Sequence, residues 1–269
     1  LHYALPVSPY GTCTVVSCDT GYTPSGNTCV VSTCSGNNFE SCTITNGVGN
    51  RTRTCNSGTW GAPYGTCTVV SCDTGYTPSG NTCVASTSSS ILKSISSGND
   101  DAEEYSIDHT MHLTSSDLEL TYDAGPPSNQ YVGMRFQSVN IPRGVTIQSA
   151  ILAFYCEEAT SGAGTVRILG QDIDNAPTFS TTSANITSRT LTSNYSSWTF
   201  GSGWSVGTRY NSSDLKNVIQ EIIDRAGWNA NNNLVIVINS SLSSNANSRV
   251  ADSYEGTNVV KLYITYLTG

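Results

Sequence analysis

Nine of the chain's ten cysteines lie between Cys13 and Cys83, and the tenth is Cys156. This partition constrains the fold more than any other feature. A segment so dense in cysteine and so poor in large apolar residues cannot build a core and needs covalent staples. The same segment is duplicated: PYGTCTVVSCDTGYTPSGNTCV stands at 9–30 and again, unchanged, at 63–84. A full unit runs from Cys34 to Cys83, with cysteines at 34, 42, 55, 67, 72 and 83, and the earlier copy holds the last three, at 13, 18 and 29. Faithful repetition of this kind is the logic of a short linear stack.

Within CDTGYTPSGNTC, a Pro-Ser-Gly-Asn turn lies between two cysteines. It predicts hairpins closed by Cys18–Cys29 and by Cys72–Cys83. The other pairings stay open. If Cys67 pairs backwards within its unit, Cys13 is left free or joined to another chain. Zinc is disfavoured, because no CxxC occurs and His2 is the only nearby histidine.

Cysteine usage at this density reads as an oxidising compartment, extracellular or at the cell surface. The net charge is −8 with only twelve Lys plus Arg, which disfavours nucleic acid as a partner. No apolar run is long enough for a membrane span. The opening LHYALPVSPYG lacks the charged start and apolar run of a signal peptide. The expectation is therefore a cleaved signal, or a chain that enters inside a longer array.

The segment GNRTRTCNSGTWG, with Arg51, Arg53 and Trp60, resembles thrombospondin type 1 repeats, where Arg and Trp side chains layer across thin strands. Other pieces are similar to sushi and EGF-like modules. The resemblance implies an extracellular spacer. The expected organisation is an extended segment over 1–12, disulfide repeats over 13–84, a Ser-rich linker over 85–104 and a β-sandwich over 105–269.

Alternation supplies the strands of that sandwich. DLELTY (117–122) and YVGMRF (131–136) alternate, the latter with Val132, Met134 and Phe136 on one face. IQSAILAFYCEE (147–158) and VVKLYITY (259–266) alternate likewise, and NLVIVIN (233–239) is apolar on both faces, as a central strand would be. SSDLKNVIQEIIDRAGW places Leu215, Val218, Ile219, Ile222 and Ile223 at helical spacing, with Gly227 to end the helix. The fold class expected is all-β: a two-sheet jelly-roll sandwich with one short helix, preceded by disulfide-stapled hairpins. Cys156 is expected as a buried free thiol. The ordered pieces DDAEE, SSDLEL, VGMRFQSVNIPRGVTIQSAILAF, LKNVIQEIIDRAGW and DSYEG…VVKLYITY resemble a jelly-roll module of large secreted bacterial surface proteins. That resemblance implies a building block or binding module and no enzyme.

Candidate chemistry is sparse. GWSVG around Ser205 has the G-x-S-x-G form, but all three histidines, His2, His109 and His112, precede it, and a hydrolase elbow needs a later one. HTMH (109–112) at strand spacing points its histidines to opposite faces. Asp100, Asp101, Glu103 and Glu104 open the sandwich, and Asp252 and Glu255 precede its last strand. Their convergence would suit Ca²⁺, the one cofactor expected. Asp172 and Asp174 in DIDN form a second acidic candidate. Trp198, Trp204, Tyr210 and Trp228 are aromatic candidates for binding glycans. Asn50, Asn185, Asn194, Asn211 and Asn239 head glycosylation sequons. The functional expectation is a homopolymer-forming subunit of an extracellular fibre or surface layer, with a carbohydrate-binding module as the alternative.

Overall fold

The computed structural model describes residues 15, 17–18, 22–31, 38–56, 59–60, 64–125, 127–201, 203–240 and 248–268, with the backbone alone at 23, 25, 30–31, 55–56 and 59–60. Chain contacts divide it into two units, 1–87 and 88–268. No described helix is long and apolar enough to cross a membrane.

The first unit is a set of small antiparallel pairs: β1 (Tyr22–Ser25) with β2 (Thr28–Val31), β3 (Phe39–Ile44) with β4 (Gly47–Thr52), β5 (Cys55–Asn56) with β6 (Thr59–Trp60), β7 (Thr68–Cys72) added beside β4, and β8 (Tyr76–Ser79) with β9 (Thr82–Ala85). The duplicated sequence folds twice into the same hairpin. Pro24 faces Cys29 as Pro78 faces Cys83, and the bridges Cys18–Cys29 and Cys72–Cys83 close the two copies. Cys67 pairs backwards with Cys42. Cys13 and Cys34 lie outside the described residues.

Sulfur replaces a core in this unit, where Ile44 and Cys83 are the described buried apolar residues. A Cβ on Gly49 would stand 2.7 Å from Cys67 Sγ, and one on Gly47 2.6 Å from Cys83 Sγ. The glycines of GVGN therefore let β4 lie against two disulfides. Arg51 and Arg53 lie over the ring of Tyr64, at 5.5 and 4.9 Å, and Arg51 also pairs with Glu40. The side chain of Trp60, the partner expected for them, is outside the described residues.

The second unit is the sandwich. Its strands are β10 (Thr87–Ser94), β11 (Asp101–Tyr105), β12 (Met111–His112), β13 (Asp117–Glu119), β14 (Tyr122–Ala124), β15 (Pro127–Val139), β16 (Thr146–Glu158), β17 (Gly164–Gly170), β18 (Ser196–Phe200), β19 (Arg209–Asn211), β20 (Asn232–Asn239), β21 (Val250–Asp252) and β22 (Lys261–Thr268); the helix α1 (Lys216–Ile223) precedes β20. One sheet runs β10-β22-β16-β21-β13 with β19 also on β16; the other runs β12-β11-β15-β20-β17-β18 with β14 also on β15. The two longest strands, β15 and β16, are consecutive in the chain and lie in opposite sheets, so the chain crosses the sandwich between them. Val132, Met134 and Phe136 face Leu152, Phe154 and Leu262 across the core.

Three sequence expectations change. The segment 85–104 is no linker: β10 and β11 occupy much of it, because Ile91 and Ile95 pack on the core while Ser88 and Ser90 take outward positions. DLELTY is not one strand. It breaks after Glu119 so that the chain can cross from the β13 sheet to the β14 sheet. The helix ends at Ile223, four residues before Gly227, and Arg225 beyond it turns to Asp172 and Asp174. At its start, Asp214 Oδ1 accepts from Lys216 N at 3.0 Å.

The connection between β17 and β18 folds over the outer face of the second sheet. There Ala176, Phe179 and Ile186 pack on Ala102, Val235 and Val237. This cover explains why β20 is apolar on both faces.

Candidate functional site

The carboxylates of DDAEE divide between the two faces of β11, as strand alternation requires. Asp100 and Glu104 serve the outer layer. Asp100 pairs with Arg135 at 2.5 Å. Glu104 accepts from Ile186 N at 2.8 Å, Thr187 N at 2.9 Å and His109 Nδ1 at 2.7 Å, and also bonds the Thr187 hydroxyl. Both are fully buried anchors whose oxygens are spent on protein donors. Glu255 is exposed beside Gly98. The expected six-residue calcium set is therefore not one cluster.

Asp101 and Glu103 turn inward. Asp101 is 2% exposed and accepts from Tyr254 N at 2.7 Å. Burial, with the charges of Glu255 and Asp100, pushes its carboxyl up to about 7 against the opposing Tyr254 bond. Glu103 Oε1 accepts from Glu119 N at 2.5 Å, and the two carboxyl groups hydrogen-bond to each other. Burial, then that contact with Glu119, drives Glu103 far above the usual carboxylate range. Burial raises Glu119 as well. One proton shared by the pair is the physical outcome.

Further along the same edge, carboxylate oxygens of Asp117, Glu157 and Glu158 lie within 4.8 Å of one another. Asp117 stands directly across from Asp252 in the β13–β21 register, a like-charge pairing that costs stability unless something compensates it. Asp252 is buried and accepts from Asn258 Nδ2 at 3.1 Å. A cavity of about 300 Å³ adjoins it, lined by Cys156, Glu157, Val206, Gly207, Thr257 and Asn258. Cys156 is a buried free thiol that donates to Glu158 O at 3.0 Å, and burial pushes it up. Sequence reasoning found Asp101, Glu103 and Asp252 but missed Asp117, Glu119, Glu157 and Glu158. The available signal was acidic residues at the ends of otherwise apolar strands, in DLEL and CEE. An all-oxygen edge of this kind matches the preference of hard cations.

The remaining candidates have structural partners. Asp172 and Asp174 grip Arg225 in an ion-pair fork. Trp198 and Trp204 are 5% and 4% exposed and pack on each other at 5.8 Å. Tyr210 stacks on Trp204 at 4.4 Å and 2°. Trp228 is buried and donates to Ile141 O at 3.0 Å. A cavity of about 290 Å³ is lined by Trp198, Trp204, Tyr210 and Asn211. Ser205 stands in a turn that leads into strand β19, and its N donates to Tyr210 Oη at 3.0 Å. Of the sequons, Asn194 and Asn211 are exposed, while Asn50, Asn185 and Asn239 are half-buried. Asn194 Nδ2, the atom that a glycan would use, donates to Glu221 Oε2 at 2.6 Å.

No family model matches the chain, and no curated protein matches it.

Proposed function

We propose that the chain is a non-catalytic extracellular structural protein that assembles head to tail with copies of itself. The sandwich is the rigid bead and the disulfide array the spacer. The observation that carries this reading is the duplicated hairpin, two verbatim copies in the same register, each closed by its own disulfide. Duplication of such a unit lengthens a spacer and leaves its joints unchanged, whereas a catalytic or ligand site gains nothing from it. Among the described strands β10 pairs with β22 on one side, and its other side offers a place for a strand from another copy. The occupant proposed is the apolar segment 1–12, which lies outside the described residues.

Electron microscopy of native material, with and without reductant and a calcium chelator, tests the reading. Regular filaments are expected. Dispersed particles in every condition, with 1–12 intact, would refute it. The aromatic-lined cavity beside Trp204 and Tyr210 supports a second reading, a carbohydrate-binding module. Glycan-array binding that disappears in Tyr210→Ala would establish that alternative.

A further inference from the structure

We propose that Glu103, Glu119 and Gln130 form a binding site for a divalent cation of the calcium class, held at the edge where the two sheets of the sandwich meet. Glu103 comes from β11 of one sheet and half-buried Glu119 from the edge strand β13 of the other, and Glu119 N donates to Glu103 Oε1 at 2.5 Å. Two acids brought together at such an edge are an unfavourable arrangement in themselves, and by themselves they do not make a site.

Gln130 is the independent observation. Its side chain is 0% exposed, and among the described residues neither Oε1 nor Nε2 has a hydrogen-bond partner. Buried carboxamides are almost always paired, so one with both atoms orphaned calls for a ligand. Its direction follows from the register. Tyr105 faces Gln130 and Glu103 faces Val132 in the β11–β15 pair, so Gln130 and Glu103 share the inward face as diagonal neighbours. Such neighbours lie roughly 7–8 Å apart at Cα, within reach of two long side chains. Both also abut one stretch of chain: Glu103 accepts from Glu119 N, and Gln130 N donates to Thr121 O at 3.0 Å. A cation there would receive carboxylate oxygens from both sheets and the amide oxygen of Gln130, the donor types that calcium takes.

The groups around the site fit a cation. Asp117 acts on both glutamates, and Asp123 acts on Glu119. Tyr105 lies beside them and donates to Asp123 Oδ2 at 3.0 Å. His112 faces Glu103 from β12, and its Nε2 too is buried and without a partner among the described residues. A nitrogen donor would favour a transition metal, which makes Zn²⁺ the competing probe. The inference stands whether or not the chain polymerises.

The test is thermal melting of the full chain, stripped with chelator and then titrated with Ca²⁺ or Zn²⁺ at pH 8. Calcium at a hundredfold excess over its Kd should raise Tm by roughly 5–10 °C. Glu103→Gln, which copies the neutral acid, should keep the metal-free Tm within a few degrees and lose the shift. Gln130→Leu should weaken it. Three results would overturn the proposal: no shift with Ca²⁺, a shift with Zn²⁺ alone, or a shift that survives Glu103→Gln and disappears in Glu157→Gln/Glu158→Gln. Should Glu103→Gln fail to fold, Tb³⁺ luminescence excited through tyrosine reads the same site. Emission that Ca²⁺ displaces should fall in Tyr105→Phe, and unchanged emission in that variant would place the ion elsewhere.

Discussion

Arg249 is 0% exposed, yet among the described residues it pairs with no carboxylate; its partners are the loops at one end of the sandwich. Its guanidinium donates to Ser248 O at 2.6 Å, Gly201 O at 2.7 Å and Ser161 O at 3.3 Å, and also to Gly162 O. The planar group lies 4.6 Å from the ring of Phe200 and 5.8 Å from that of Trp204. One side chain thus pins the loop after β16, the loop after β18 and the start of β21. Arg249→Met keeps the apolar bulk and removes every donor. The bonds to other loops, with a longer fourth to Thr160 Oγ1 at 3.4 Å, are worth about 1 kcal/mol each net or less, and the aromatic contacts about 0.5–1 kcal/mol each. Recovered apolar burial offsets part of this, leaving a loss of about 3 kcal/mol. For a unit of this size that is a fall in Tm of roughly 6–12 °C. Denaturant unfolding followed by circular dichroism measures it. Arg249→Lys keeps the charge but not the fork, so it should fall between. A methionine variant within about 1 kcal/mol of wild type would refute the clamp.

The remaining predictions concern separate features. Cys72→Ala/Cys83→Ala opens an eleven-residue closure, which should cost about 3 kcal/mol and make residues 72–83 a protease target. Gly170→Ala places a Cβ 2.5 Å from Ile222 Cδ1 and pushes α1 off the sheet, for a loss of about 1–3 kcal/mol in denaturant melts. Burial raises the Glu221 carboxyl, but bonds from the backbone and side chains of Asn194 and Ser193 outweigh it and hold the group below its usual value. A depressed acid stabilises above its unfolded value and loses that contribution as pH falls through its folded one. Acidification from pH 5 to 3 should therefore lower Tm more in wild type than in Glu221→Gln, and parallel curves would exclude the clamp.

Period-two alternation made β15, β16 and β22 readable, and the all-apolar run of β20 marked it as central. The apolar spacing of α1 was equally plain. These signals are local. What escaped was set by distant pairing. The serines of 85–94 look like a linker until β22, more than 160 residues later, supplies the neighbour that makes β10 a strand. The acidic edge escaped for the same reason. Asp117 meets Glu157 and Glu158 only after β21 has seated between their strands, and that order is not written in any window of the sequence.

The sheet edges complete the argument for assembly. Of the four terminal strands, β12 has two residues and β13 three, and both lie against carboxylates, a familiar means of blunting an edge. β18 has five residues. β10 has eight, its only charge is Lys93, and Leu92 on it is 52% exposed. An added strand therefore has one long edge with a single charge to join. Leu92→Glu puts a charge on that edge at an exposed position, so unfolding stability should change by no more than about 0.5 kcal/mol. The same variant should shorten or abolish filaments seen by electron microscopy. Filaments of normal length from Leu92→Glu would mean that copies meet at some other surface, and the β10 edge would lose its role even if polymerisation itself stood.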